Sequence, residues 1–111
     1  MKKPQKADLL QGTLELLALR LLQGGPLNGW QMMQRVSLVS QQVLAVTPGS
    51  LYPALHRLER DGFVSSEWRS SENNRRAKFY RLTAAVRHQL ESEKETWARF
   101  AGAIATILEE A

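Results

Sequence analysis

The chain has 111 residues, 43% hydrophobic and 23% charged, which fits one compact unit with one appended element and excludes both a two-domain enzyme and disorder throughout. It has no cysteine and two histidines, which excludes disulfide scaffolds, thiolate zinc sites and cysteine nucleophiles and leaves no metal or other cofactor to expect. Fifteen Lys and Arg against eleven Asp and Glu give +4, a weak pointer to a polyanionic partner.

Position says more than the total. Arg75, Arg76, Lys78, Arg81 and Arg87 lie between Asn73 and Gln89 with no acid among them. Beyond Gln89, Glu91, Glu93, Glu95, Glu109 and Glu110 outnumber Lys94 and Arg99. One region can face phosphate and the other should not.

The start has a basic tip and an apolar run, but Gln11, Gly12, Glu15 and Arg20 interrupt that run. It reads as an amphipathic helix of a cytoplasmic protein rather than a secretion signal, and no stretch approaches the roughly 18 to 20 apolar residues that span a bilayer. From Leu9 to Leu22, Leu10, Leu14, Leu17 and Leu21 follow helical spacing, with Leu9, Leu16 and Leu22 widening the stripe. Gly24-Gly25-Pro26 breaks this helix. A second helix follows, capped by Asn28, with Trp30, Met33 and Val36 as its expected inward face, fading near Ser40. Residues 41–46 are the one plausible linker.

Thr47-Pro48 opens a third helix, with threonine as cap and proline where its missing amide hydrogen costs nothing. Leu51, Leu55 and Leu58 point inward, and Asp61-Gly62 closes the helix. Ser50, Pro53, His56, Arg57 and Arg60 then face outward, with Tyr52 at the edge of that surface. Pro53 predicts a local bend, softened because Gly49 sits one turn earlier.

Residues 63–69 and 75–82 carry aromatic and apolar positions around the polar turn Ser70 to Asn74, which reads as a β-hairpin. Val64 and Trp68 share a face of its first strand, and Trp30 and Trp68 are both expected in the core. Thr83 is the expected cap of a last helix of about 26 residues, about 39 Å long, reaching Glu109. That is too long for so small a domain to cover. Val86, Leu90, Trp97, Phe100, Ile104 and Ile107 form a near-heptad seam broken by Glu93, which predicts a partner helix from a second chain.

The expected fold is therefore mainly α with a small β-hairpin wing: a winged helix-turn-helix over residues 1–83, followed by a long C-terminal dimerisation helix over 84–111. In that arrangement the third helix enters the major groove and the hairpin lies along the adjacent backbone or minor groove. Ser50, Tyr52 and His56 can donate and accept hydrogen bonds to base edges or phosphates. Arg57 and Arg60 could add charge at the flank, and Arg75, Arg76 and Lys78 suit a narrow minor groove or a phosphate pair. Blander roles stand beside these: a basic run is usually a solvated face, a lone His56 is ordinary surface, and Tyr52 could be half-buried. No carboxylate pair, nucleophile with base, phosphate loop or metal cluster is evident, so an enzyme is not expected.

The runs LLQGTLELLALRLL, GPLNGWQMMQRV, PGSLYPALHRLERDGFVSSEW and SENNRRAKFYRLT closely resemble the PadR-like winged-helix transcriptional regulators, over about residues 8 to 109. The resemblance implies a homodimer crossed through the first and last helices, set on an inverted-repeat operator in double-stranded DNA. Leu10, Leu14, Leu90, Trp97, Phe100, Ile104 and Ile107 would form its interface. It implies repression, relieved in many members by a small ligand. It also implies DNA contacts at Ser50, Tyr52, Pro53 and His56 of the third helix and at Asn73, Asn74, Arg75, Arg76 and Lys78 of the wing.

A subset of the family has a tryptophan at the position of Trp97 that stacks planar aromatic compounds between subunits. Here Trp97 could do that, or could simply close the dimer core. Leu82-Thr83-Ala84-Ala85-Val86 stands where the family commonly has Leu-Thr-Pro-Ala-Gly, which suggests a more regular start to the last helix. Asn28-Gly29-Trp30 stands where many relatives have His-Gly-Tyr, a difference expected to alter core packing alone. The competing function is a winged-helix protein-interaction module without operator preference.

Overall fold

The computed structural model describes the backbone of residues 6–110 and the side chains of residues 12–86 and 88–110. The order is α1 (Lys6–Leu22), β1 (Leu27–Asn28), α2 (Gly29–Val39), α3 (Pro48–Arg60), β2 (Val64–Ser70), β3 (Arg76–Leu82) and α4 (Val86–Glu110). The sheet has the order β1-β3-β2 and is antiparallel throughout. Four helices around a small sheet with a projecting β2–β3 hairpin make the winged helix-turn-helix expected from the sequence. Strand β1 was not anticipated. It is two residues long, pairing Leu27 with Tyr80 and Asn28 with Phe79, too short to leave a period in the sequence.

Local chemistry sets the helix boundaries. Asn28 and Gln31 form a reciprocal capping box at α2: the Gln31 amide donates to Asn28 Oδ1 at 2.8 Å, and the Asn28 amide donates to Gln31 Oε1 at 2.9 Å. Thr47 caps α3, accepting from the Ser50 amide at 3.3 Å, with Pro48 at the first helical position. At the other end Gly62 takes φ 82°, a left-handed geometry that glycine adopts without steric cost. This lets the Phe63 amide reach back to the Leu58 carbonyl at 2.9 Å, closing a Schellman turn that leads directly into β2. The end of α2 makes the same turn without glycine, with Gln41 and Gln42 at φ 54° and 66°. Helix α3 runs unbroken through Pro53.

The core joins α1, α2, α3 and the sheet to the first turns of α4. Leu19, Met32, Leu55, Val64 and Leu90 are its largest fully covered side chains, with Leu51, Leu58, Tyr80 and Val86 beside them. The seam of α3 is as expected, but three other expectations fail. Trp30 and Trp68 are each 59% exposed, and Met32 takes the inward place expected of Trp30. Trp68 does share the face of Val64, but β2 runs outward past the core before reaching it. Thr83 does not cap the last helix. Its hydroxyl donates to the Gly62 carbonyl at 2.6 Å, and α4 begins three residues later. Val86 fills core space, so the missing glycine is matched by room for a larger residue.

Helix α4 docks on α1 through Val86 and Leu90 and then continues beyond the core. The molecule measures 52 × 32 × 23 Å, extended enough to leave the far part of this 25-residue helix uncovered. Trp97, Phe100, Ile104, Ile107 and Leu108 are all exposed there. Among the described residues, no helix is long and apolar enough to cross a membrane.

Candidate nucleic-acid interface

Three elements enclose a broad groove of about 890 Å³. The first residues of α2 form one wall with Asn28, Gly29, Trp30 and Gln31. The face of α3 supplies Tyr52 and His56, one helical turn apart, and the sheet supplies Trp68, Lys78 and Tyr80. The hairpin tip closes it with Asn73, Arg75 and Arg76, joined by the acid Glu72.

The strand register explains the sheet wall. Ser66 pairs with Tyr80, Trp68 with Lys78 and Ser70 with Arg76. Side chains alternate along a strand, so Trp68, Lys78, Tyr80 and Arg76 share one face. The hairpin turns at Ser71 to Asn74, where the Asn74 amide donates to the Ser71 carbonyl at 3.0 Å and Asn74 takes φ 58°. Asparagine tolerates this left-handed position better than most side chains. Its expected role in DNA contact thus sits beside a structural one, and Asn74 is not part of the groove lining.

The expected cations fall into two groups. Arg75 and Arg76 are exposed, and among the described residues neither has an ion-pair partner. Lys78 is tethered: its ammonium lies 3.6 Å from Glu59 Oε1 and 5.7 Å from the centroid of the Tyr80 ring. Ser66 Oγ donates to the other Glu59 oxygen at 2.5 Å. Glu59 therefore fastens both strands of the wing to α3. Burial pushes the Tyr80 phenol up from its ordinary value, with Glu59 and then Tyr52 adding smaller upward effects.

The flanking arginines of α3 are committed elsewhere. Arg57 donates to Glu15 of α1 at 2.7 Å, and Arg60 donates to Asp61 at 3.2 Å. Ser50 and Pro53 lie outside the groove, near the start of α3, where the Thr47 hydroxyl donates to Ser50 Oγ at 3.2 Å. The structure thus gathers Tyr52, His56, Asn73, Arg75, Arg76 and Lys78 around one concavity. The replacement of His-Gly-Tyr by Asn28-Gly29-Trp30 is not a matter of core packing alone, because Trp30 is 59% exposed and all three residues line the groove.

Sequence reasoning missed Asn28, Gly29, Trp30, Gln31 and Trp68 as groove residues, and Glu59 as the fastener. Only the two tryptophans carried a signal, since aromatic side chains beside a basic run suit a binding surface as well as a core.

At the opposite end, Trp97 and Phe100 meet with ring centroids 6.2 Å apart. They border a pocket of about 160 Å³ with Gly12, Thr13, Leu16, Glu93 and Thr96. Of the expected dimer residues, Leu14 and Leu90 are already covered within the chain, whereas Trp97, Phe100, Ile104 and Ile107 are open. Leu10 lies outside the residues whose side chains are described.

Comparisons with known proteins agree with this architecture. The family model described as "Transcriptional regulator PadR-like family" matches residues 18–92. The transcriptional regulator Rv3488 of Mycobacterium tuberculosis is 43% identical over 56 residues, covering 50% of this chain and 51% of that protein, so the match spans about half of the relative. A PadR-like transcription factor from Bacteroides fragilis has a solved structure with TM-score 0.71 and 28% identity, covering 92% of this chain and 96% of that one. A transcriptional regulator from Clostridium thermocellum superposes with TM-score 0.79 at 23% identity over 89% and 96% of the two chains, a likeness of fold. With a winged helix-turn-helix fold and a family match over more than half its length, the chain belongs to the PadR-like family of transcriptional regulators.

Proposed function

We propose that the protein acts as a homodimeric repressor that binds an inverted-repeat operator through α3 and the wing. The observation that carries this reading is the groove between Tyr52 and His56 of α3 and the hairpin tip, where Arg75 and Arg76 stand exposed beside hydrogen-bonding side chains. In this reading residues 1–83 bind DNA and 84–111 dimerise. Arg75 and Arg76 meet phosphates or the minor groove, while Tyr52 and His56 reach base edges. Asn73 and Asn74 shape and extend the tip, Lys78 holds the wing against α3, and Ser50 and Pro53 approach the backbone beside the start of the helix.

The exposed stripe Trp97, Phe100, Ile104 and Ile107 is the surface for the partner protomer, with α1 alongside it. A two-fold arrangement would place the two third helices about 34 Å apart, one turn of DNA. The Trp97 pocket is the place for a planar aromatic effector that alters the angle between the heads.

The test compares wild type with Tyr52→Ala and His56→Ala on DNA from directly upstream of the protein's own gene and on a scrambled duplex. Loss of preference with unchanged sedimentation supports the reading. Unchanged preference in both variants contradicts base reading by α3, and equal binding of wild type to both duplexes favours a protein-interaction module.

A further inference from the structure

Gly29 is the first residue of α2, and the phenol ring of Tyr52 lies directly over it. A methyl group at position 29 would sit 2.5 Å from Tyr52 Oη, 2.8 Å from Cζ and 2.9 Å from Cε1. Carbon atoms in comfortable contact stand about 3.5–4.0 Å apart, so any side chain at position 29 must displace the ring. The backbone does not demand glycine there: Gly25 and Gly62 have positive φ, and Gly29 does not. The missing side chain therefore serves the ring above it.

That ring is 44% exposed and lines the groove, so a methyl group beneath it would push it towards the open space of the groove. The opposite wall carries Trp68, Lys78 and Tyr80, so a displaced ring also narrows the space between α2, α3 and the wing.

We propose that Gly29 is a positioning residue for DNA reading: by lacking a side chain it seats the Tyr52 ring on the start of α2 and holds the phenol hydroxyl at one place in the groove. This rests on the reading of α3 as the recognition helix. It makes α2 and α3 a single reading surface, with the position of the Tyr52 hydroxyl set by a residue that need not touch DNA.

The experiment is a double-mutant cycle of wild type, Gly29→Ala, Tyr52→Ala and the double variant. Each is titrated against the duplex that wild type enriches from a random pool and against its scrambled counterpart. Thermal melting and the salt slope are measured alongside. Losing one well-placed base contact costs roughly five- to tenfold in preference, and Gly29→Ala should show a loss of this size with melting temperature and salt slope unchanged. In the Tyr52→Ala background the same substitution should do nothing further, because no ring remains to displace.

Three results would overturn the proposal. Wild-type preference in Gly29→Ala would show that the ring's seat is irrelevant. A loss that persists in the Tyr52→Ala background would show that position 29 acts by another route. Wild-type preference in Tyr52→Ala would remove the recognition role of Tyr52 and this inference with it, whereas the first two results leave that role standing.

Discussion

The groove and the far half of α4 both display aromatic side chains to solvent, but they do so in opposite chemical settings. Trp30, Tyr52 and Trp68 stand among amides and the cations of the wing. Trp97, Phe100, Ile104 and Ile107 stand on a helix whose acids outnumber its bases beyond Gln89. Exposure of large apolar groups marks both as binding surfaces, and the surrounding charge separates the partners. In the proposed function the phosphate backbone meets the first, and the second, with its excess of acids, meets the partner protomer. The two surfaces are joined through one core, because the first turns of α4 are embedded in it through Val86 and Leu90.

The largest effect should come from breaking the α4 surface. Phe100→Glu combined with Ile104→Glu places two charges in the proposed helix seam, and sedimentation should fall from twice 12.6 kDa to 12.6 kDa. Losing the second head removes a bivalent advantage, so operator affinity should drop by about a thousandfold. A variant that stays dimeric would move the interface elsewhere.

Next in size is the wing. Arg75→Ala with Arg76→Ala should reduce affinity for every duplex by roughly fiftyfold near 0.1 M salt and flatten the salt slope by about two ions. Dimerisation should not change. An unaltered slope would take the wing out of the phosphate contacts.

Trp30→Ala and Trp68→Ala sharpen the contrast between groove and core. As exposed residues each should shift stability by about 0.5 kcal/mol or less, read by urea unfolding, whereas a buried tryptophan would cost about 3–5 kcal/mol. Affinity for DNA should still fall several-fold, since each forms part of the groove wall.

The smallest effect concerns Tyr80, whose phenol is raised by burial and by Glu59 and Tyr52. The fold thus favours the neutral phenol. That contribution to stability is complete below the ordinary value of 10.0 and is lost as pH rises through the higher folded value. Between about pH 9 and about pH 11, Tyr80→Phe should lose stability less steeply than wild type in urea unfolding. Parallel curves would show that Tyr80 does not govern the alkaline limb.

Local chemistry was legible in the sequence where the partner is three residues away. The caps at Asn28 and Thr47, the stop at Gly62 and the stripe Leu51, Leu55 and Leu58 all depend on neighbours along the chain. The readings that failed depend on distant partners. Thr83 looks like a cap until the Gly62 carbonyl, 21 residues earlier, takes its hydroxyl. Trp68 has the parity of a core residue, but parity gives a face and not how far along the strand the core extends. Of the candidate site, the wing cations and Tyr52 and His56 could be named because their residue types announce binding chemistry. Gly29 could not, because its role is the space it leaves for a residue on another helix.

Fluorescence-anisotropy titration of the wild-type protein tests the central claim most directly, using DNA from upstream of its own gene against a scrambled duplex at several salt concentrations. We predict a preference of roughly a thousandfold for the upstream DNA and a salt slope of several ions. Equal, weak binding to both duplexes would contradict the claim that this groove reads an operator there.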